Sequence, residues 1–164
     1  MDALAFNGAG VGAPAGGGPQ KGGIYTLTAM HSDKVADVAE LSSADGANVI
    51  QWPANTGANH RWKLTDADNG AFTLTAQHSN KCLDVAGAST SDNALIHQWT
   101  CNTDANNQEW KFESTATAGV YRIVSVNSNT CLDVPGASTA DNVQLIQYAC
   151  HTRTNQQWKL TKVG

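Results

Sequence analysis

The chain has 164 residues, of which 41% are hydrophobic and only 15% are charged, and its formal net charge is −4. This length is sufficient for one domain with a substantial buried core. Its 10 basic residues are scattered rather than clustered, which argues against a nucleic-acid partner. The sequence has no apolar run of the roughly 18 residues that a membrane span requires, so we expect no membrane partner.

Gly, Ala and Pro dominate residues 1–22. A segment of this composition cannot bury enough apolar surface to become ordered, and it lacks the basic start and continuous apolar stretch of a signal peptide. We therefore interpret residues 1–22 as a disordered linker remnant with Met1 as an expression start. The folded domain is predicted to cover residues 23–164, and a linker of this kind suggests that it belonged to a larger secreted protein.

Beyond the linker the sequence repeats itself three times, over about residues 23–66, 70–114 and 119–162. The three segments open with GIYTLTAMHSDKVADV, GAFTLTAQHSNKCLDV and GVYRIVSVNSNTCLDV, and they end with HRWKLT, QEWKFE and QQWKLT. Self-similarity at a fixed period is the signature of a repeat architecture, so it takes precedence over the prediction of single elements.

Within each repeat the local pattern predicts about four short strands and no amphipathic helix. The first strand alternates apolar and polar residues, at Tyr25–Leu27, Phe72–Leu74 and Tyr121–Ile123. Dipeptides that suit hairpin turns with a residue at positive φ follow, at Asp45-Gly46, Asp92-Asn93 and Asp141-Asn142. A second apolar stretch comes next, at Val49-Ile50, Leu95-Ile96 and Leu145-Ile146. A polar loop and a Trp-Lys strand complete the repeat.

Three such repeats predict an all-β fold, specifically a β-trefoil with pseudo-threefold symmetry. Three units of about 45 residues close a trefoil, whereas three blades cannot close a propeller. We expect the tryptophan near the end of each repeat to fill the core near the threefold axis, because aromatic burial dominates a small all-β core. These residues are Trp62, Trp110 and Trp158.

The four cysteines fall into two pairs, Cys82 with Cys101 and Cys131 with Cys150, each 19 positions apart. Neither pair has the spacing of a zinc site, so no metal is predicted. Two local disulfides are the simpler interpretation, and they indicate an oxidising, extracellular location. The alternative is four buried free thiols in a cytosolic protein. Each disulfide would close a loop of about 20 residues.

These features together resemble the ricin B-type lectins and the family 13 carbohydrate-binding modules of bacterial glycoside hydrolases. The resemblance rests on the three Gln-x-Trp-type motifs with Cys-Leu-Asp-Val upstream, and it covers residues 23–161. The third repeat follows the family pattern closely, with CLDVPGASTADN and TNQQW. The first repeat departs most, since Val35 and Ala54 occupy the cysteine positions and His60 replaces the glutamine.

A sugar ring presents hydroxyl groups at its edge and an apolar face of C–H groups, so a carboxylate, an aromatic ring and an amide together suit it. Each repeat has an aspartate, an aromatic residue 15 positions later and an asparagine 22 or 23 positions after the aspartate. The resemblance implies a pocket at these positions and at the residue two places before each aromatic. The pockets are Asp37, Ile50, Trp52 and Asn59; Asp84, His97, Trp99 and Asn107; and Asp133, Ile146, Tyr148 and Asn155.

The residues two places before the core tryptophans, His60, Gln108 and Gln156, are expected to brace the fold behind the pockets. His97 would add a hydrogen bond and make the second pocket the most polar, unless it faces solvent. The structural alternatives for the other positions are aspartates bonded to backbone amides at turns and aromatic rings that fill the core. The first pocket is the least secure, because its repeat lacks the cysteine pair.

Three equivalent aspartates predict binding rather than catalysis, because a glycosidase needs an asymmetric pair of carboxylates. Glu40 has no counterpart in the other repeats, and neither Gly-x-Ser-x-Gly nor His-Glu-x-x-His occurs. We expect a monomeric, cofactor-free domain that binds mono-, oligo- or polysaccharide of galactose, xylose or arabinose type, tethered to a secreted glycoside hydrolase. A free-standing galactose-binding lectin and a protein-interaction trefoil are the alternatives.

Overall fold

The computed structural model describes residues 18–164, so the linker prediction for residues 1–17 lies outside the described residues. The strands are β1 (Ile24–Ala29), β2 (Val35–Val38), β3 (Val49–Trp52), β4 (Trp62–Asp66), β5 (Phe72–Ala76), β6 (Cys82–Val85), β7 (Ile96–Trp99), β8 (Trp110–Ser114), β9 (Val120–Ser125), β10 (Cys131–Asp133), β11 (Val143–Gln144), β12 (Ile146–Tyr148) and β13 (Trp158–Lys162).

Short 3₁₀ turns are the only helical elements of residues 18–164, at Ala39–Leu41, Ala58–His60, Asp68–Gly70, Ala86–Ala88, Asn106–Gln108, Pro135–Ala137 and Thr154–Gln156. None of these turns has the length or apolar character to cross a membrane. Just before β1, the Gly22 amide donates to the Leu64 carbonyl at 2.7 Å. The last residues of the segment interpreted as a linker therefore contact the domain.

Six of the strands close into an antiparallel barrel. β1 pairs with β4 and β13, β5 pairs with β4 and β8, and β9 pairs with β8 and β13. The remaining strands form the hairpins β2–β3, β6–β7 and β10–β12, one in each repeat. The hairpins contact one another through β11, which pairs with β3, and through the bridges Asn48–His97 and Leu95–Ile146. This arrangement confirms the predicted β-trefoil.

The predicted core tryptophans are confirmed, since Trp62, Trp110 and Trp158 are fully buried in one hydrophobic cluster. Each indole Nε1 donates to a backbone carbonyl directly before a pocket aspartate. The acceptors are Ala36 O at 3.0 Å, Leu83 O at 3.1 Å and Leu132 O at 3.1 Å. The core therefore fixes the strand that carries each aspartate.

Buried glutamines join the repeats to one another. Gln98 is fully buried, and its Nε2 donates to Ser42 O and Ala44 O of the preceding repeat, both at 2.8 Å. Its Oε1 accepts from Ser79 Oγ at 2.8 Å. The equivalent residues Gln51 and Gln147 make the same set of contacts with neighbouring repeats. The sequence analysis assigned no role to these three side chains.

Both predicted disulfides are present, Cys82–Cys101 and Cys131–Cys150, each with Cα atoms 5.1 Å apart. The predicted turns are also confirmed, with positive φ at Gly46, Asn93 and Asn142.

The second apolar stretch of the second repeat was placed one residue too early. Val85, which follows Asp84, pairs with Ile96, just as Val38 pairs with Val49 in the first repeat. Leu95 lies directly before β7. It is 49% exposed because it points to the face opposite that of its neighbour Ile96.

Candidate functional site

Each hairpin places its aspartate and the position thirteen residues later directly opposite each other across the two strands. The opposed pairs are Asp37–Ile50, Asp84–His97 and Asp133–Ile146. The aromatic residue lies two positions further along the second strand, so it projects from the same face. The structure therefore brings the predicted aspartate, aromatic and intervening residue together in every repeat.

The three aspartates are buried, with 2% exposure for Asp37, 5% for Asp84 and 3% for Asp133. Their hydrogen bonds within residues 18–164 come from side chains and not from backbone amides. A turn bonded to backbone amides therefore does not explain their burial. Side-chain donors hold each carboxylate at the base of a pocket.

The three aromatic residues are exposed, with 38% exposure for Trp52, 44% for Trp99 and 39% for Tyr148. Large apolar rings normally lie inside a folded domain, and the core of this protein is already filled by the other three tryptophans. The exposed rings therefore do not fill the core. Each is available to cover the apolar face of a ligand.

The asparagines support the aspartates in two of the repeats. Asn59 Nδ2 donates to Asp37 Oδ1 at 3.0 Å and to Val38 O at 2.9 Å. In the second repeat, Asn107 Nδ2 donates to Asp84 Oδ2 at 3.2 Å. In the third repeat, Asn155 Nδ2 donates to Val134 O at 3.1 Å.

Asn155 has one further feature in the third repeat. Its Oδ1 is buried and has no hydrogen-bond partner in the described structure. A buried acceptor without a donor is unfavourable, so this oxygen is free to accept a ligand hydroxyl.

Two glutamines hold the aspartates from behind, as predicted for a bracing position. Gln108 Nε2 donates to Asp84 Oδ2 at 2.8 Å and to Thr100 O at 3.0 Å. Gln156 Nε2 donates to Asp133 Oδ2 at 2.8 Å in the same way. Both side chains are buried, so they orient the carboxylate, and Gln108 also borders the second cleft.

The first repeat has a histidine in this bracing position. His60 is 1% exposed, and its Nε2 lies 2.5 Å from Asn55 O. Its Nδ1 lies 3.5 Å from Asp37 Oδ2. The first aspartate is thus braced by an imidazole instead of an amide.

The second pocket has a histidine of its own. His97 Nε2 lies 2.8 Å from Asp84 Oδ1, and the imidazole stacks against Trp99 with ring centres 5.5 Å apart. The His97 side chain therefore faces the pocket and not bulk solvent. Both carboxylate oxygens of Asp84 accept hydrogen bonds from side chains, which agrees with the expectation that the second pocket is the most polar.

Comparison with known proteins agrees with this geometry. A model of the ricin-type β-trefoil lectin domain-like family matches residues 13–99 and 106–164. The chain belongs to this family. A search of curated proteins finds no match to it.

Solved structures extend the relationship of this ricin-type trefoil. ThreeFoil, a designed 3-fold symmetric protein, is 42% identical with a TM-score of 0.82, and the match covers 85% of this chain and 99% of that one. An exo-β-1,3-galactanase from Clostridium thermocellum is 33% identical with a TM-score of 0.82, and the match covers 86% of this chain but only 30% of the enzyme. The Macrolepiota procera ricin B-like lectin, solved with lactose, shares the fold at 20% identity, with a TM-score of 0.76 and coverage of 88% of this chain and 99% of the lectin.

Burial affects the acidity of two pocket carboxyls of this ricin-type trefoil. Burial raises the pKa of Asp37 and of Asp133 above the ordinary value of 3.8, while the nearby His60 imidazole opposes the increase at Asp37 and a hydrogen bond from Gln156 opposes it at Asp133. The folded state thus bears a cost for ionised carboxylates at these positions. The fold does not need buried charges at these positions. Buried carboxyls with a perturbed pKa are typical of functional sites.

The clefts also contain residues that the sequence analysis did not select. The first cleft, of about 640 Å³, includes Asn142 from the third repeat, and the third, of about 390 Å³, includes Asn93 from the second repeat. Both are the positive-φ residues of the hairpin turns. Repeat-by-repeat analysis does not reveal such contributions, because only closure of the trefoil brings a neighbouring turn to the pocket.

Other overlooked residues lie within their own repeat. Glu40 and Asn48 line the first cleft, and Asn102 lines the second, of about 820 Å³. His151 lies in the third cleft with Nε2 3.8 Å from Asp133 Oδ2. In the sequence, only its position directly after Cys150 indicates that His151 lies near the pocket. No group of three or more His, Cys, Asp or Glu side chains in residues 18–164 is arranged to hold a metal ion.

Proposed function

We propose that this ricin-type trefoil binds carbohydrate through its three pockets and does not catalyse a reaction. The observation that carries the proposal is the pairing of a buried aspartate with an exposed aromatic ring on one face of each hairpin, repeated three times. A buried carboxylate accepts from two neighbouring hydroxyls, and the ring covers the C–H face of the sugar.

In the proposed complex the bracing side chains do not touch the sugar. Gln108 and Gln156 each hold one carboxylate oxygen, so the carboxylate does not rotate away when a hydroxyl approaches. Preorganisation of this kind lowers the entropy that binding must lose. The asparagine Oδ1 atoms are the second set of acceptors at the pocket floor.

The distribution of acidic groups supports a binding role without catalysis. Hydrolysis of a glycosidic bond uses two carboxyl groups that flank the bond. The second and third clefts each contain one carboxyl among the described lining residues, Asp84 and Asp133, and only the first contains two, Asp37 and Glu40. Among these three clefts, only the first therefore has the pair of carboxyls that such hydrolysis uses.

We infer further that the domain targets a secreted glycoside hydrolase to plant cell-wall polysaccharide of xylan, arabinan or galactan type. Two observations support this part. The two disulfides are typical of proteins that fold in an oxidising, extracellular environment. The galactanase, at 33% identity, contains a matching trefoil within a longer chain. A free-standing galactose-binding lectin is the competing outcome of the experiment below.

Multivalency determines the expected affinities. A shallow pocket that holds one sugar has a Kd of about 1 mM, or about −4 kcal/mol. Three such pockets on one rigid body gain apparent affinity for a polymer, because the second contact forms at a high effective concentration. Polysaccharide is therefore expected to bind more tightly than its own monosaccharide.

Calorimetric titration with galactose, xylo-oligosaccharide, arabino-oligosaccharide and the corresponding polymers tests the proposal. Asp84→Asn and Trp99→Ala are each expected to remove the second pocket and part of the gain on polymer. Asp66→Asn is the matched control, because Asp66 is exposed on β4 and does not line any of the three clefts. Absence of saccharide binding, or no effect of the pocket variants, would refute the proposal. Release of reducing sugar by the unaltered chain would refute its non-catalytic part.

A further inference from the structure

The bracing position of the first pocket has a chemistry that differs from the other two. His60 stands where the later repeats have Gln108 and Gln156, and all three side chains are buried behind the aspartate. A glutamine amide donates a hydrogen bond at any pH, whereas an imidazole nitrogen donates only when it carries a proton. The first pocket therefore has a potential dependence on protonation that its counterparts lack at this position.

The surroundings of His60 determine which nitrogen carries hydrogen. Its Nε2 faces Asn55 O at 2.5 Å, and a carbonyl oxygen only accepts, so Nε2 is the donor. Its Nδ1 faces Asp37 Oδ2 at 3.5 Å. With a neutral imidazole and an ionised carboxylate, two lone pairs point at each other. Both atoms are buried and have no hydrogen-bond partner. A single proton held between them removes this conflict.

Two other titratable groups face the pair. His78 acts electrostatically on Asp37 and is itself tied to Ser42 O at 2.7 Å, and Glu40 lines the mouth of the cleft. Burial raises the pKa of the Asp37 carboxyl, while His60 and His78 lower it. A buried carboxyl that resists full ionisation favours retention of the shared proton under weakly acidic conditions.

We propose that His60 is a positioning residue that makes saccharide binding by the first pocket depend on pH. With the proton in place, His60 holds Asp37 Oδ2, and Oδ1 stays with Asn59 and the ligand. When rising pH removes the proton, that bond is lost and the two lone pairs repel, so the carboxylate leaves its binding orientation. The pocket binds in weak acid and loses affinity above neutral pH. This inference rests on the proposed carbohydrate-binding function.

The test requires the first pocket alone, because His97 and His151 approach the other two aspartates at 2.8 and 3.8 Å. The full chain carrying D84N, W99A, D133N and Y148A retains only the first pocket. NMR titration with galactose and with xylotriose is expected to show affinity falling about tenfold from about pH 5.5 to about pH 8.5, the loss of one hydrogen bond to a charged group.

Two further variants on this background separate positioning from mere folding. His60→Gln installs the residue that the other repeats already use, and it is expected to keep the weak-acid affinity at both pH values. His78→Asn is the matched control, because Asn127 occupies the corresponding position of the third repeat and also bonds a backbone carbonyl of the preceding repeat, Ala88 O at 2.9 Å. This control should retain the fall in affinity. A fall that persists in His60→Gln would overturn the proposal.

Nitrogen NMR of the histidine rings provides a readout without ligand. The His60 ring signals are expected to show Nδ1 changing from protonated to unprotonated over the same pH range in which affinity falls, while Nε2 keeps its hydrogen on Asn55 O. Unchanged ring protonation, or an affinity that does not vary with pH, would overturn the switch and leave the carbohydrate function standing. Absence of binding to either sugar at either pH would instead refute both the carbohydrate function of this pocket and the inference that rests on it.

Discussion

The first repeat provides a natural comparison for the contribution of the disulfides, because it forms the same hairpin without one. Val35 and Ala54 occupy the positions of the two cysteines. Val35 pairs with Trp52 as Cys131 pairs with Tyr148. The double variant C131V/C150A therefore gives the third repeat the two residues that the first repeat already has at these positions. The loss of stability in this variant measures the contribution of the covalent link.

The size of the loss follows from the loop that the link closes. Cys131 and Cys150 are 19 positions apart, and a loop of this length is worth about 3 kcal/mol in the chain-entropy model. For a domain of this size such a loss lowers Tm by roughly 6 to 12 °C. The pair C82V/C101A has the same separation and should lose the same amount. The two losses should add, because the links lie in separate hairpins.

Guanidinium unfolding followed by tryptophan fluorescence measures these losses. A loss below about 1 kcal/mol in both double variants would refute the loop-entropy reasoning, and would place the stability of the hairpins in their packing. If only one of the two double variants lost a large part of its free energy of unfolding, the loss would come mainly from substitution of the buried cysteine and not from opening the loop.

Three further predictions concern stability. Glu40 has φ 59°, a left-handed conformation that glycine adopts without strain, and the other repeats have Gly87 and Gly136 at this position. Glu40→Gly should therefore raise the free energy of unfolding by about 1 kcal/mol. The control Glu113→Gly, within β8, should lower it. Because burial raises the pKa of Asp133, the folded state favours its proton. The associated stability is present below the unfolded value of 3.8 and lost as pH rises through the folded value. Asp133→Asn should therefore be more stable than the unaltered chain at neutral pH, with no gain in strong acid, as denaturant unfolding at the two pH values would measure. Gln98→Ala removes three hydrogen bonds of a fully buried side chain, to Ser42 O, Ala44 O and Ser79 Oγ, and should cost about 3 kcal/mol by denaturant unfolding, against little for the exposed amide of Gln157.

The fold was predictable because closure of a trefoil depends on the number and period of the repeats, and both are visible in the sequence. The start of the second apolar stretch in the second repeat was not. His97 occupies a position that is isoleucine in the other repeats, so the apolar stretch was assigned to Leu95-Ile96 instead of Ile96-His97. A slip of one residue along a strand moves every side chain to the opposite face. The spacing to the aromatic residue aligned His97 with Ile50 and Ile146, and the pairing of Asp84 with His97 agrees with that alignment.

The part of each pocket that lies on one hairpin was predictable, because strand alternation places Asp84 and Trp99 on the same face. The contributions of Asn93 and Asn142 to neighbouring pockets were not, since they depend on contacts between repeats. The same limit applies to the interrepeat bonds of Gln98, which look like an ordinary polar position of a strand in the sequence.

The threefold symmetry of the backbone does not extend to the chemistry of the carboxylates. Asp84 has side-chain donors on both oxygens, so a sugar hydroxyl must share or displace one of them. Asp133 accepts from Gln156 alone among its described hydrogen bonds, which leaves more acceptor capacity for a ligand. Asp37 depends on a histidine. Because binding strength follows the donors and acceptors that remain free, we expect the three proposed pockets to differ in affinity, and a repeat sequence alone does not rank them.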